Sequence, residues 1–433
     1  MAKRLTMYIL IGLVLGIAVG WGINAWFDHG TPESAALLKT ISKWISAVTT
    51  TFLQLIKMII APLVFGTLVT GIAHMGDTGA LGRVGAKALL WFICASLVSL
   101  TLGLGLVHLL QPGVGLNLPL PALNAATGIV KPEFDPSEFV KHIFPASIIG
   151  VMATNEILPI VVFSIFFGVA LTAIGEKAAP IVRAAEELVA VMLQITDYVM
   201  RFAPIAVFAA VTAALAEQGP GVIGKLAYFM GSVYIGLAIL WALLIGAAFL
   251  VIGRRTGLLL RYIREPILLA FSTASSEAAF PRTLEALDRF GVPKRISSFV
   301  LPLGYSFNLD GSMMYMTFAS LFIAQAYGIH LSLGTQIAML LTLMVTSKGI
   351  AGVPRASLVV ITVTLSQFNI PEAGILLVLA IDHFLDMGRS ATNVVGNAIA
   401  ASVVARWEGG FEPRQSAEIE PPHAPSHGIS GQA

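Results

Sequence analysis

Apolar stretches of about twenty residues or more recur along this chain, each long enough to cross the ~30 Å hydrocarbon core of a bilayer as a helix. They lie near residues 5–27, 44–74, 84–110, 148–174, 187–215 and 222–253. Backbone in that solvent must satisfy its own polar groups, which leaves helices or closed barrels. Runs this long, without strict alternation, read as helices. Composition agrees, because 56% of the 433 residues are hydrophobic and only 12% are charged, against about 25% charged in soluble domains. A net charge of +2 gives nucleic acid no basic surface to bind. The single Cys94 excludes an internal disulfide, a Cys-x-x-Cys redox site and a Cys-rich zinc site. Within an apolar helix it is expected to be a small packed side chain.

The run from Leu5 to Trp26 is longer than the apolar part of a secretory signal and lacks a small-residue cleavage site, so it reads as an uncleaved first span. Arg and Lys cluster at Lys3 and Arg4, at Arg83 and Lys87, at Lys177 and Arg183, and from Arg254 to Arg264. These clusters fall at alternate ends of the spans, which predicts a multi-pass membrane protein with a cytoplasmic N-terminus. Residues 409–433 are Gly, Pro, Ser, His and Glu with few large apolar side chains, and the expectation is a disordered polar tail.

After Arg264 the pattern changes. The run 265–290 carries Ser272, Ser275 and Ser276, and the run 332–368 is broken at Ser347–Pro354. Between them an apolar helix is interrupted at Asn308-Leu309-Asp310-Gly311, and a last helix spans about 374–406. Non-helical backbone at membrane depth persists only inside protein or beside a watery cavity, and paired broken segments point to a transporter's binding site.

On the last helix Asp382, Asp386, Arg389, Asn393 and Asn397 fall within a sector of roughly 80° at 100° per residue. Charges at membrane depth cost about 2.5–3.5 kcal/mol each on insertion scales, so such a stripe argues for function. The plainer alternative is that Asp386 and Arg389 pair only to lock helix packing. The 308–311 break offers an amide, a carboxylate and freed carbonyls of the kind a hard cation takes, with sodium near Asn308 and Asp310 as one reading; a glycine kink is the other. The two serine-bearing tips offer hydroxyls and helix N-termini suited to an anion, or are structural loops. There is no Gly-x-Ser-x-Gly, His-Glu-x-x-His or phosphate-binding Gly-x-x-x-x-Gly-Lys motif, so neither an enzyme nor an ATP-driven pump is indicated.

These residues resemble the dicarboxylate/amino acid:cation symporters, a family that includes bacterial glutamate and aspartate carriers. The likeness spans about residues 5–407 and rests on Ser-Thr-Ala-Ser-Ser-Glu at 272–277, Asn-Leu-Asp-Gly at 308–311, Gly-Ile-Ala-Gly-Val-Pro at 349–354 and Asp-Met-Gly-Arg-Ser-Ala-Thr-Asn at 386–393. The resemblance implies an all-α membrane protein with eight transmembrane helices, two re-entrant helical hairpins and a homotrimer. It implies an elevator: a transport domain, about 84–110 and 222–406, sliding past a scaffold of about 5–74 and 148–215. Glutamate or aspartate is the implied substrate, a C4-dicarboxylate the rival, and no cofactor is expected.

By position, Asp386 matches the residue that takes the α-amino group and Arg389 the one that takes the side-chain carboxylate. Asn393 and Ser276 match contacts to the α-carboxylate, Val353 belongs to the second hairpin, and Ser275, Ser312 and Ser390 complete the implied substrate set. Gly304, Asn308, Asp310, Ser347, Asn397 and Glu277 form the implied cation-coupling set. The sequence departs from sodium-coupled members, which commonly carry Asp at Asn397 and Tyr and Thr at Phe92 and Ala95. Met316 stands where some members have a proton-carrying Glu, and Arg355 replaces a common Gly. Protons, carried by Glu277 or Asp310, are therefore expected to drive transport, with sodium as the alternative. Glu277 and Arg355 are expected to pair across the hairpin tips.

Overall fold

The computed structural model describes residues 2–28, 31–73, 78–115, 120–121, 143–349, 356–379 and 381–411. Among the described residues every regular element is helical. The first three helices are α1 (Ala2–Phe27), α2 (Pro32–Ala73) and α3 (Thr78–Leu110), followed by α4 (Ile148–Thr154), α5 (Ile157–Ile174), α6 (Ala179–Met200) and α7 (Ala203–Ile252). The remainder are α8 (Arg255–Thr273), α9 (Phe280–Phe290), α10 (Lys294–Phe307), α11 (Asp310–Ala326), α12 (Leu333–Gly349), α13 (Ala356–Gln367), α14 (Ile375–Leu379) and α15 (Asp382–Trp407). Among the described residues, five segments are long and apolar enough to cross a membrane: Met7–Phe27, Pro32–Ala73, Gly79–Leu110, Ile157–Met200 and Leu226–Ile252.

Three of the expected boundaries move. The run 148–174 is two helices, because Asn155 adopts a left-handed conformation (φ 57°) that ends α4 and turns the chain into α5. The run 187–215 breaks after Met200, and its second part is continuous with the following span in the 50-residue α7. The last helix is also interrupted, since Ile381 (φ −123°, ψ 4°) is not helical and α15 starts afresh at Asp382. Cys94 is exposed rather than packed; it shares the outer face of α3 with Ile93, Leu97 and Val98, an apolar surface suited to lipid.

Helix α1 packs on the first part of α7 through Gly12, Gly16 and Gly20, where added Cβ atoms would meet the main chain of Pro204, Phe208 and Thr212. Small residues every fourth position let two membrane helices approach closely. The same stretch of α7 is tied to its neighbours by Asn24 Nδ2 to Ala216 O (2.9 Å), Ser42 Oγ to Ala213 O (3.1 Å) and Thr49 Oγ1 to Ala206 O (3.1 Å). The later part of α7 instead meets α15, where Trp241 Nε1 donates to Thr392 Oγ1 at 2.8 Å and Tyr234 donates to Phe384 O at 2.6 Å. Helix α15 lies at the centre of α7, α8, α10 and α11, and from Ser390 to Ala405 every residue is buried. A helix buried on all sides must satisfy each polar side chain within the protein, so the company kept by the five residues of its polar stripe defines the site.

Candidate functional site

The interruption expected in the middle of the chain is present. Helix α10 stops at Phe307, Asn308 (φ −114°, ψ 66°) and Leu309 (φ −101°, ψ 60°) are non-helical, and α11 begins at Asp310. Asn308 and Asp310 are fully buried. The stripe on α15 lies along this break. Asn393 Oδ1 accepts from the main-chain N–H groups of Gly311 (2.9 Å) and Ser312 (3.3 Å), and its Nδ2 donates to Ser312 Oγ at 3.1 Å. One asparagine thus caps the free N–H groups that start α11. Asn308 Nδ2 donates to Asn397 Oδ1 at 3.2 Å. Gly311 sits so close to α15 that a Cβ there would overlap Arg389 O, and a Cβ at Gly396 would overlap the Asp310 carboxylate. Glycine is required at both places because one main chain approaches another element directly.

One turn further along α15, Arg389 Nε donates to Asp386 Oδ1 at 2.7 Å, and Ser390 Oγ donates to the same oxygen at 3.0 Å. The pair is largely enclosed, with 13% and 18% of the two side chains exposed. Arg389 Nη1 donates to Ser357 Oγ on α13, and the guanidinium carbon stands 5.6 Å from the centre of the Tyr315 ring. Tyr315 in turn donates to Asp382 Oδ1 at 2.6 Å. The five stripe residues therefore serve two adjoining groups, a charged one at Asp382, Asp386 and Arg389 and an amide one at Asn393 and Asn397.

The first serine-bearing tip is a tight turn between α8 and α9. Ala274 takes a left-handed conformation (φ 50°), and Ser275 Oγ accepts from Ala278 N at 3.2 Å, capping the short turn Glu277–Ala279. Ser276 lies in this turn, half-buried. Glu277 lies within electrostatic reach of Lys57 and Asp386. Ser347 lies in α12 and donates to Met344 O at 2.9 Å; its side chain thus serves its own helix. Val353 and Arg355 lie outside the described residues, as do the expected Glu277–Arg355 pair and the tail beyond 411.

Tyr315, Ser357 and Lys57 are additions that the sequence reading did not contain. Tyr315 follows Ser312 by three residues and so shares its helix face, a usable signal; Ser357 and Lys57 carry none. Among the described residues no group of three or more His, Cys, Asp or Glu side chains is placed to hold a metal ion. Oxygen ligands do gather at the break: Asn308 Oδ1 is buried without a hydrogen-bond partner, the Asp310 carboxylate lies against Gly396, and Asn397 lies against Gly304. Phe92, 1% exposed, fills space beside Gly304 where a hydroxyl would add another oxygen.

The model of the Sodium:dicarboxylate symporter family matches residues 5–407. The chain is 38% identical over 94% of its length to the proton/sodium-glutamate symport protein of Bacillus caldotenax, covering 95% of that protein. It is equally similar, 38% identical over 94% of the chain and 90% of the relative, to C4-dicarboxylate transport protein 2 of Mesorhizobium japonicum. The proton/glutamate-aspartate symporter of Escherichia coli is 37% identical over 96% of the chain and 95% of its own length.

Proposed function

We infer that this chain, which belongs to the Sodium:dicarboxylate symporter family, is a secondary active symporter that takes up glutamate or aspartate together with protons. The observation that carries the substrate class is the Asp386–Arg389 pair, two opposite charges one helical turn apart in an enclosed site. An acidic amino acid presents an ammonium group and a side-chain carboxylate, and each finds its opposite there. The two bonds that Asp386 accepts within the protein both land on Oδ1, so Oδ2 is the oxygen for an incoming ammonium. A guanidinium suits a carboxylate through its planar fork. Ser275, Ser276, Ser312, Ser390 and Asn393 complete the substrate shell, with Val353 contributed by the second tip.

The C4-dicarboxylate reading is favoured by the relatives bearing that name. Asp386 weighs against it, since an enclosed carboxylate repels a second carboxylate.

Proton coupling rests on the donor set at the break. Sodium needs several oxygens to offset its dehydration, and here Asn397 Oδ1 is engaged by the Asn308 amide while Phe92 presents carbon. Asn308 Oδ1, Asp310 and the carbonyls of Gly304 and Ser347 would be the oxygens offered to a sodium ion, and Gly304 O already accepts from Asn308 N at 2.7 Å. A proton needs one carboxylate, and Glu277 and Asp310 both lie at the site.

The remaining architecture follows the same reading: eight transmembrane helices, two re-entrant hairpins (α8–α9 and α12–α13), a homotrimer, cytoplasmic termini, and an elevator in which α3 and α8–α15, with the later part of α7, slide along the other helices. The test is uptake into proteoliposomes. With an inside-alkaline gradient and no sodium, glutamate or aspartate accumulates. Failure there, with robust uptake once a sodium gradient is imposed at equal pH, overturns proton coupling; uptake of succinate in preference to both amino acids overturns the substrate.

A further inference from the structure

We propose that Ser357 is a positioning residue for substrate recognition, fixing the plane of the Arg389 guanidinium from α13 so that the fork presents its free edge to a carboxylate. The inference rests on the reading of Arg389 as the carboxylate-binding residue.

Arg389 is held at two points that differ in kind. Asp386 takes Nε, but Asp386 lies three residues away on the same helix, so that bond moves with the arginine and orients it only relative to its own turn. Ser357 is reached across 32 positions of sequence from a separate helix and takes Nη1. A guanidinium is planar, and holding Nε alone lets the fork swing about the bonds of its stem; holding Nε and Nη1 together fixes both its plane and its rotation. Tyr315 lies by the group as a wall, 5.6 Å from ring centre to guanidinium carbon, and supplies no second hydrogen bond to it. The edge that remains, carrying Nη2 and the second hydrogen of Nη1, is the one that a bidentate carboxylate needs.

The chemistry at position 357 is specific. A guanidinium only donates, so its partner must accept, and a serine oxygen offers two lone pairs while retaining a hydrogen of its own to donate. Ser357 is 6% exposed, and an acceptor enclosed with a charge interacts more strongly than one in water. Alanine removes the acceptor and keeps a good helix former, whereas threonine keeps the hydroxyl and adds a methyl group. The two substitutions separate hydrogen bonding from packing.

The experiment measures initial uptake of aspartate and glutamate across concentration in proteoliposomes containing the full chain, with alanine and serine as neutral probes. Loss of a hydrogen bond to a charged group is worth roughly ten-fold or more, so Ser357→Ala raises KM for both acidic substrates by about that factor. It changes kcat less and narrows the preference for acidic over neutral amino acids. Ser357→Thr restores KM and the preference. An unchanged or lower KM in Ser357→Ala overturns the proposal, as does a loss confined to kcat. Equal damage from alanine and threonine assigns Ser357 to packing and also overturns it. A wild-type protein that carries no acidic amino acid refutes the transport reading instead, before either variant is compared.

Discussion

At Gly396 a single methyl group would fall on the carboxylate of Asp310, which makes this a sensitive small residue beside the break. Gly396→Ala pushes Asp310 away from Asn308 and overpacks a buried site, a change that costs about 1–3 kcal/mol. The expected result is a lower melting temperature in detergent together with a weaker dependence of uptake on the coupling ion. The charged pair acts differently, because Asp386 and Arg389 neutralise each other on one helix. Arg389→Cys leaves the Asp386 carboxylate enclosed and without its cation; uptake of glutamate and aspartate is abolished, and small neutral amino acids become competitors. Asp386→Asn weakens amino acid binding far more than succinate binding, measured by competition. Equal losses for both would remove the case for an amino acid substrate. Asn308, Asp310, Asn393 and Asn397 were legible because polar residues at membrane depth are costly. Tyr315 was signalled only by sharing a helix face with Ser312; that it serves the site rather than the core is decided by Asp382, 2.6 Å from its hydroxyl.

Between elements, the largest ion cluster among the described residues surrounds Arg282 on α9. It meets Glu285 at 2.8 Å on its own helix, Glu265 of α8 at 3.9 Å and Asp197 of α6 at 2.7 Å. The exposures decide which contact matters. Asp197 is 51% exposed, and an ion pair with so wet a partner is worth at most about 1 kcal/mol. Glu265 and Glu285 are enclosed, with 15% and 18% of the side chain exposed, and removing the cation between them takes the ion-pair partner from Glu265 and leaves Glu285 only the exposed Arg289 at 3.5 Å, a loss of up to about 3–5 kcal/mol by analogy with broken buried pairs. Arg282→Met should therefore lower the melting temperature strongly, and Asp197→Asn hardly at all. The glycine face of α1 offers a second contrast. Gly16→Leu drives α1 off α7 and destabilises the fold, whereas the same change at Gly22, where a Cβ meets nothing within 4 Å, is tolerated.

For the whole molecule, the apolar outer face that includes Trp44, Leu90, Ile93 and Leu250 is stable only in lipid or against protein. The proposed homotrimer predicts that three copies of the 45.8 kDa chain travel together in mild detergent, which light scattering with detergent correction measures directly. A particle of one chain that still transports would dispose of the trimer. The length and order of the spans were mostly readable, because lipid imposes one requirement on every backbone group. Their breaks were less so: the left-handed turn at Asn155 and the helix end at Met200 are marked only by short polar steps, Thr154-Asn155-Glu156 and Arg201, which hydropathy averaged over a whole span smooths out.

The amino-acid sequence by itself determined the solvent, the helical class, the interruption at Asn308–Gly311 and the polar stripe on the last helix, because each follows from local composition and helical period. Only the tertiary structure decided which groups meet. Asp386 and Arg389 are three residues apart, so their pairing needs one helix; Ser357, Tyr315, Gly311 and Asn308 reach the same helix from 32 to 89 residues away. Such contacts depend on how helices cross, and the crossing is set by close approach at glycines such as Gly311 and Gly396, whose partners lie on other elements.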